Sequence, residues 1–77
     1  MNIIVHFYLV SGLRRSTIVK AENIEEASEC INVELEDGHA VFDVYKMNGD
    51  EFSPVNEGVK KFEVFYKHVM CIDYEEQ

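Results

Sequence analysis

Residues 23–38 read NIEEASECINVELEDG, and this stretch decides how the rest of the chain is arranged. Asn23 is a good helix N-cap, and Glu26 stands three residues later in the capping-box position. Ile24, Ala27, Ile31 and Leu35 then recur at helical spacing. At 100° per residue they fall within about 80° of one another, a stripe fit for one buried side. Asp37-Gly38 supplies the stop, because glycine readily adopts the left-handed conformation past a last turn. The spacing predicts one helix over residues 24–36.

The segments on either side read as strands. In residues 2–10, Ile3, Val5, Phe7 and Leu9 alternate with Ile4, His6, Tyr8 and Val10. Both sets are largely apolar, as in a central strand covered on two sides or one with an interface on its second side. Ser11-Gly12 breaks the pattern, and Ser16 to Ala21 resumes it with Thr17, Ile18 and Val19. This predicts an antiparallel hairpin with a loop of about four residues that carries Arg14-Arg15.

Beyond the helix, residues 39–47 alternate again and run into Asn48-Gly49, a strong hairpin signal. Pro54 cannot donate to a ladder and limits the partner strand to a short edge piece. Residues 60–74 exceed the usual strand length, which predicts a bend near Lys67-His68 and leaves open one bent strand or two. Glu75, Glu76 and Gln77 are expected to fray. The expected fold is a single acidic α+β domain over residues 1–77. In it, an antiparallel sheet of about 4–5 strands packs on one helix in the order β-β-α-β-(β)-β.

The 77 residues are 47% hydrophobic with five Phe and four Tyr, enough apolar material for a small core and too much for disorder. Fifteen acids against seven bases give a net charge of −8, which argues against a nucleic-acid binder that works through a basic surface. MNIIVHFYLV lacks the leading charge and cleavage site of a signal peptide, and its longest apolar run falls far short of the roughly 20 residues of a spanning helix. With two cysteines, Cys30 and Cys71, the expectation is a cytoplasmic protein with reduced thiols.

Charge is unevenly spread. Residues 1–21 hold Arg14, Arg15 and Lys20 and no acid, whereas residues 22–57 hold eleven acids and only Lys46. On the predicted helix, Glu25, Glu29 and Glu36 lie opposite the apolar stripe, flanked by Glu26 and Asp37. Such a face is ordinarily just solvated, with early acids favouring the helix dipole. No base occurs between residues 21 and 45, however, so the helix lacks the Glu-Lys pairs that usually relieve repulsion. Carboxylates about 6 Å apart along an axis can imitate a row of phosphates and speed association with a basic partner.

Catalytic and metal chemistry find little support. His68 and Cys71 form a His-x-x-Cys pair whose odd offset on a strand sends the side chains to opposite faces, and His6, His39 and Cys30 are scattered. Cys71, in an apolar run, reads as core; Cys30 sits at the edge of the helix stripe. The carboxylate pairs Asp50-Glu51 and Glu75-Glu76 occupy a turn and a terminus. Neither a catalytic residue nor a cofactor or metal ligand is expected. Tyr8, Tyr45, Phe62, Phe65, Tyr66 and Tyr74 exceed what one helix over a small sheet needs, and Phe65 falls out of phase with its neighbours, so some are expected at an interface.

The opening strand-turn-strand, the helix start Ala21-Glu22-Asn23-Ile24-Glu25-Glu26-Ala27 and the closing Val69-x-x-Ile72-Asp73-Tyr74-Glu75-Glu76 together resemble small acidic proteins encoded by phages and mobile elements of Gram-positive bacteria. That resemblance implies a host-directed inhibitor or accessory factor and transfers no functional residue. The leading expectation is a non-enzymatic acidic domain that binds a basic protein surface, in its sharpest form a DNA mimic occupying a nucleic-acid-binding site. Its contacts would be Glu25, Glu26, Glu29, Glu36 and Asp37. The alternative is a homodimeric structural or regulatory module joined through an edge strand and aromatics.

Overall fold

Eight consecutive residues with two apolar faces make the first strand the natural centre of a sheet. The computed structural model describes residues 1–49 and 51–77; Asp50, one half of the Asp50-Glu51 pair, lies outside them. Chain order is β1 (Asn2–Leu9), β2 (Arg14–Lys20), α1 (Ile24–Glu34), β3 (His39–Asp43), β4 (Tyr45–Asn48), β5 (Glu51–Pro54), β6 (Lys61–Phe65), a single 3-10 turn (Tyr66–His68) and β7 (Val69–Glu76). The α+β expectation holds. The single sheet of 4–5 strands does not: the described residues form seven strands in three antiparallel sheets, β2-β1-β7, β3-β6 and β4-β5.

Each departure has an identifiable backbone cause. Val44 interrupts the 39–47 strand by turning its backbone to Lys60 and Val55, so β3 ladders with β6 and β4 with β5. Asn48 pairs with Glu51 across the second hairpin, where Gly49 takes φ 62, a conformation that suits glycine. The bend near Lys67-His68 is the 3-10 turn, which divides residues 61–76 into two strands. Arg14 and Arg15 open β2, paired with Tyr8 and Phe7, rather than riding in the loop. Glu75 and Glu76, expected to fray, ladder with Ile4 and Ile3, and the Gln77 N–H donates to the Asn2 carbonyl.

One face of β1 builds the core. Ile3, Val5 and Phe7 are fully buried, each a burial worth about 1.5–3 kcal/mol. Ala27, Ile31 and Leu35 of the predicted helical stripe cover them, joined by Ala40 and Val64. Phe7 lies 5.1 Å from Phe42 and 6.2 Å from Phe62, centroid to centroid, so this aromatic group ties the central sheet to the β3-β6 ladder.

The other face of β1 is half-buried. There His6 Nδ1 lies 2.6 Å from Ser16 Oγ on β2, and Nε2 lies 3.4 Å from a Glu75 carboxylate oxygen on β7. One side chain therefore links all three strands. Among the described residues, no helix is long and apolar enough to cross a membrane.

Candidate functional site

Helix α1 begins as its sequence dictates: Asn23 has extended backbone, and its side-chain oxygen accepts from the Glu26 N–H at 2.8 Å. The helix ends at Glu34, two residues earlier than its periodicity predicts, with Leu35 as C-cap. Gly38, at φ 93, completes the following turn by donating its N–H to the Leu35 carbonyl. Glu25, Glu26 and Glu29 consequently lie on the helix, whereas Glu36 and Asp37 sit in the turn after it. All five are exposed.

The structure brings Glu25 and Glu29 onto one side of α1, about 40° apart at helical spacing, with Glu26 further round. The ion pairs among the described residues, His6–Glu75, His39–Glu63 and Lys61–Asp43, involve none of the helix carboxylates. The dipole accounts for Glu25 and Glu26, which occupy the first turn. It does not account for Glu34, Glu36 and Asp37. These crowd the negative end of a helix whose last turn contains no base, where each carboxylate is unfavourable by a few tenths of a kcal/mol up to about 1.

Sequence reasoning missed two parts of this surface. Glu34, on the far flank of the apolar stripe, is not among the expected contacts. With Glu26 and Glu29 it rims a shallow depression floored by Cys30 and Val33, and Val33 is 66% exposed. Glu34 and Cys30 also border a groove of about 310 Å3 between β2 and β3. Three consecutive residues of β2, Thr17 to Val19, and three of β3, Val41 to Asp43, line that groove. Successive strand residues point to opposite faces, so three in a row place each strand's edge at the groove. The two strands are tied together where Thr17 Oγ1 donates to the Asp43 carbonyl at 2.9 Å. Only long-range packing sets β2 beside β3, and no local sequence signal carries it.

Both thiols are free and exposed. Cys71, expected in the core, faces outward because β7 pairs it with Tyr8 on the outer side of the central sheet. Phe62 packs on Phe7 and Phe42, and the out-of-phase Phe65 is 43% exposed; Tyr66, in phase with Phe62 and Val64, is nevertheless 59% exposed because the 3-10 turn begins at it. Comparison with protein-family models, curated proteins and solved structures found no match to this chain.

Proposed function

We propose that the protein is a non-enzymatic binding domain whose acidic helix and following turn dock on a basic protein surface. The carrying observation is the set of exposed carboxylates at Glu25, Glu26, Glu29, Glu36 and Asp37, free of ion pairs among the described residues and extending to the helix end where the dipole opposes them. An arrangement that costs folding energy without internal compensation is what a surface selected for a cationic partner looks like. In its sharper form the partner is a nucleic-acid-binding protein and the helix competes with phosphates for its basic site, which makes the protein an inhibitor acting as a DNA mimic.

A pull-down from bacterial lysate at low and high salt tests this reading. Capture of a basic, nucleic-acid-binding protein that elutes as salt rises is the expected result. Salt-indifferent recovery of the bait alone overturns it. The exposed Val10, Leu13, Phe65, Tyr66 and Met70 favour a second reading, a homodimer joined through apolar surface. That reading predicts a mass that rises with concentration and is indifferent to the helix carboxylates.

A further inference from the structure

The central sheet has two outer strands, and their free sides differ. The outer side of β2 is met by β3, which Thr17 ties to it through the Asp43 carbonyl. Among the described residues β7 ladders with β1 alone, so the side away from β1 has no strand beside it. The Gln77 N–H donates to the Asn2 carbonyl, which fixes the alternation along this ladder. Cys71, Asp73 and Glu75 turn their backbone groups toward Tyr8, His6 and Ile4 of β1. Ile72, Tyr74 and Glu76 turn theirs outward, and among the described residues no hydrogen bond meets them. Helix α1 covers the inner face of the strand, where Ile72 and Tyr74 join the core that Ala27 and Ile31 build.

Natural sheets blunt such edges with prolines, bulges or charge. The bulge in β7 lies at Met70, near its start, and residues 71–76 run on in register without a proline. What this stretch carries is acid. Asp73, Glu75 and Glu76 are exposed, no base occurs from Val69 to Gln77, and only Glu75 has an ion-pair partner among the described residues, His6. Cys30 and Glu34 border β2, so helical spacing places Glu25 on the opposite flank of α1, toward β7.

We infer that the outer edge of β7 takes up an extended, basic segment of the partner protein as a fourth strand of the central sheet. The outward groups of Ile72, Tyr74 and Glu76 supply the backbone hydrogen bonds, and the pleat sorts the incoming side chains. A lysine or arginine lies beside Asp73 and Glu75 on the outer face, and an apolar residue beside Ile72 and Tyr74 on the inner one. Charge selects this occupant: a second copy of β7, paired antiparallel, would set carboxylates against carboxylates. The inference rests on the proposed engagement of a basic partner and refines it, because the acidic helix attracts the partner and the strand edge holds one segment.

The test uses the full chain, isotopically labelled, and a short blocked peptide of alternating lysine and valine as the probe. In the free chain the amides of Ile72, Tyr74 and Glu76 should exchange faster than those of Cys71, Asp73 and Glu75. The peptide should shift and protect them. Two further peptides, N-methylated at the valines alone or at the lysines alone, keep every charge and side chain but lose the donors of one edge. One of the two should bind about tenfold more weakly than the parent, the loss expected for one or two net hydrogen bonds, and the other like it. Which one weakens reports the direction of the added strand. With glutamate in place of each lysine, binding should be lost.

Equal binding of the two methylated peptides, or shifts confined to α1, overturns strand addition while leaving the acidic-surface reading intact. Undiminished binding of the glutamate peptide overturns the basic occupant. Absence of any shift at millimolar peptide overturns the inference as well. Protection of Ile72, Tyr74 and Glu76 that rises with protein concentration in the absence of peptide would show that a second copy holds the edge, which also contradicts it. The lysate pull-down fails or succeeds independently of these outcomes.

Discussion

The two sides of α1 follow different rules. Its inward side carries Ala27, Ile31 and Leu35, each buried, at the spacing a helix needs to cover Ile3, Val5 and Phe7. Folding alone explains every one of these residues. Its outward side and the turn beyond carry Glu25, Glu26, Glu29, Glu34, Glu36 and Asp37, exposed and without an ion pair among the described residues. Folding explains only the two acids in the first turn and is opposed by those at the far end. Residues that stability does not ask for are where a selected interaction is to be sought.

Substitutions on the two sides should therefore differ in size, in sign and in what they affect. Ile31→Ala empties a fully enclosed site between helix and sheet and should cost about 2–5 kcal/mol, measured by urea unfolding. A cost below ~1 kcal/mol would mean that α1 packs only loosely on the sheet. Asn23→Ala removes the side-chain acceptor for the Glu26 N–H and should cost about 1 kcal/mol with partner capture unchanged, since Asn23 belongs to the folding side of the comparison. Glu36→Lys should act oppositely on the two readouts. It should raise stability by about 0.3–1 kcal/mol by placing a cation near the last turn of the helix, and it should weaken partner capture. A loss of stability would show that Glu36 makes an intramolecular contribution and would return it to the folding side.

The comparison also separates what could be read from the chain from what could not. Asn23, the Ala27-Ile31-Leu35 stripe and Gly38 act through neighbours a few residues away, and helix α1 was legible to within two residues of its end. The first hairpin was legible for the same reason: its four-residue connection sets the register that puts His6 opposite Ser16. The closing ladder was not. Ile4 pairs with Glu75, which lies seventy-one positions further along the chain, and nothing near the terminus signals a partner that remote, so Glu75 and Glu76 read as a frayed tail. Cys71 read as core because its apolar neighbours fix a strand but not which side of it faces water. The carboxylates of the candidate site were legible as a charge pattern. The groove beside them was not, because it arises from two sheet edges, Thr17 to Val19 and Val41 to Asp43, that only the folded chain sets side by side.

The central claim is that the outward carboxylates serve a partner and not the fold. It is tested most directly by measuring two properties of one variant, Glu25→Gln with Glu29→Gln and Glu36→Gln. The measurements are its unfolding free energy and its capture of partner from lysate at low salt. Stability unchanged or slightly raised, together with loss of capture, is the predicted result, because removing the charges relieves repulsion inside the chain and attraction outside it. Undiminished capture, or a loss of stability beyond about 1 kcal/mol, would contradict the claim.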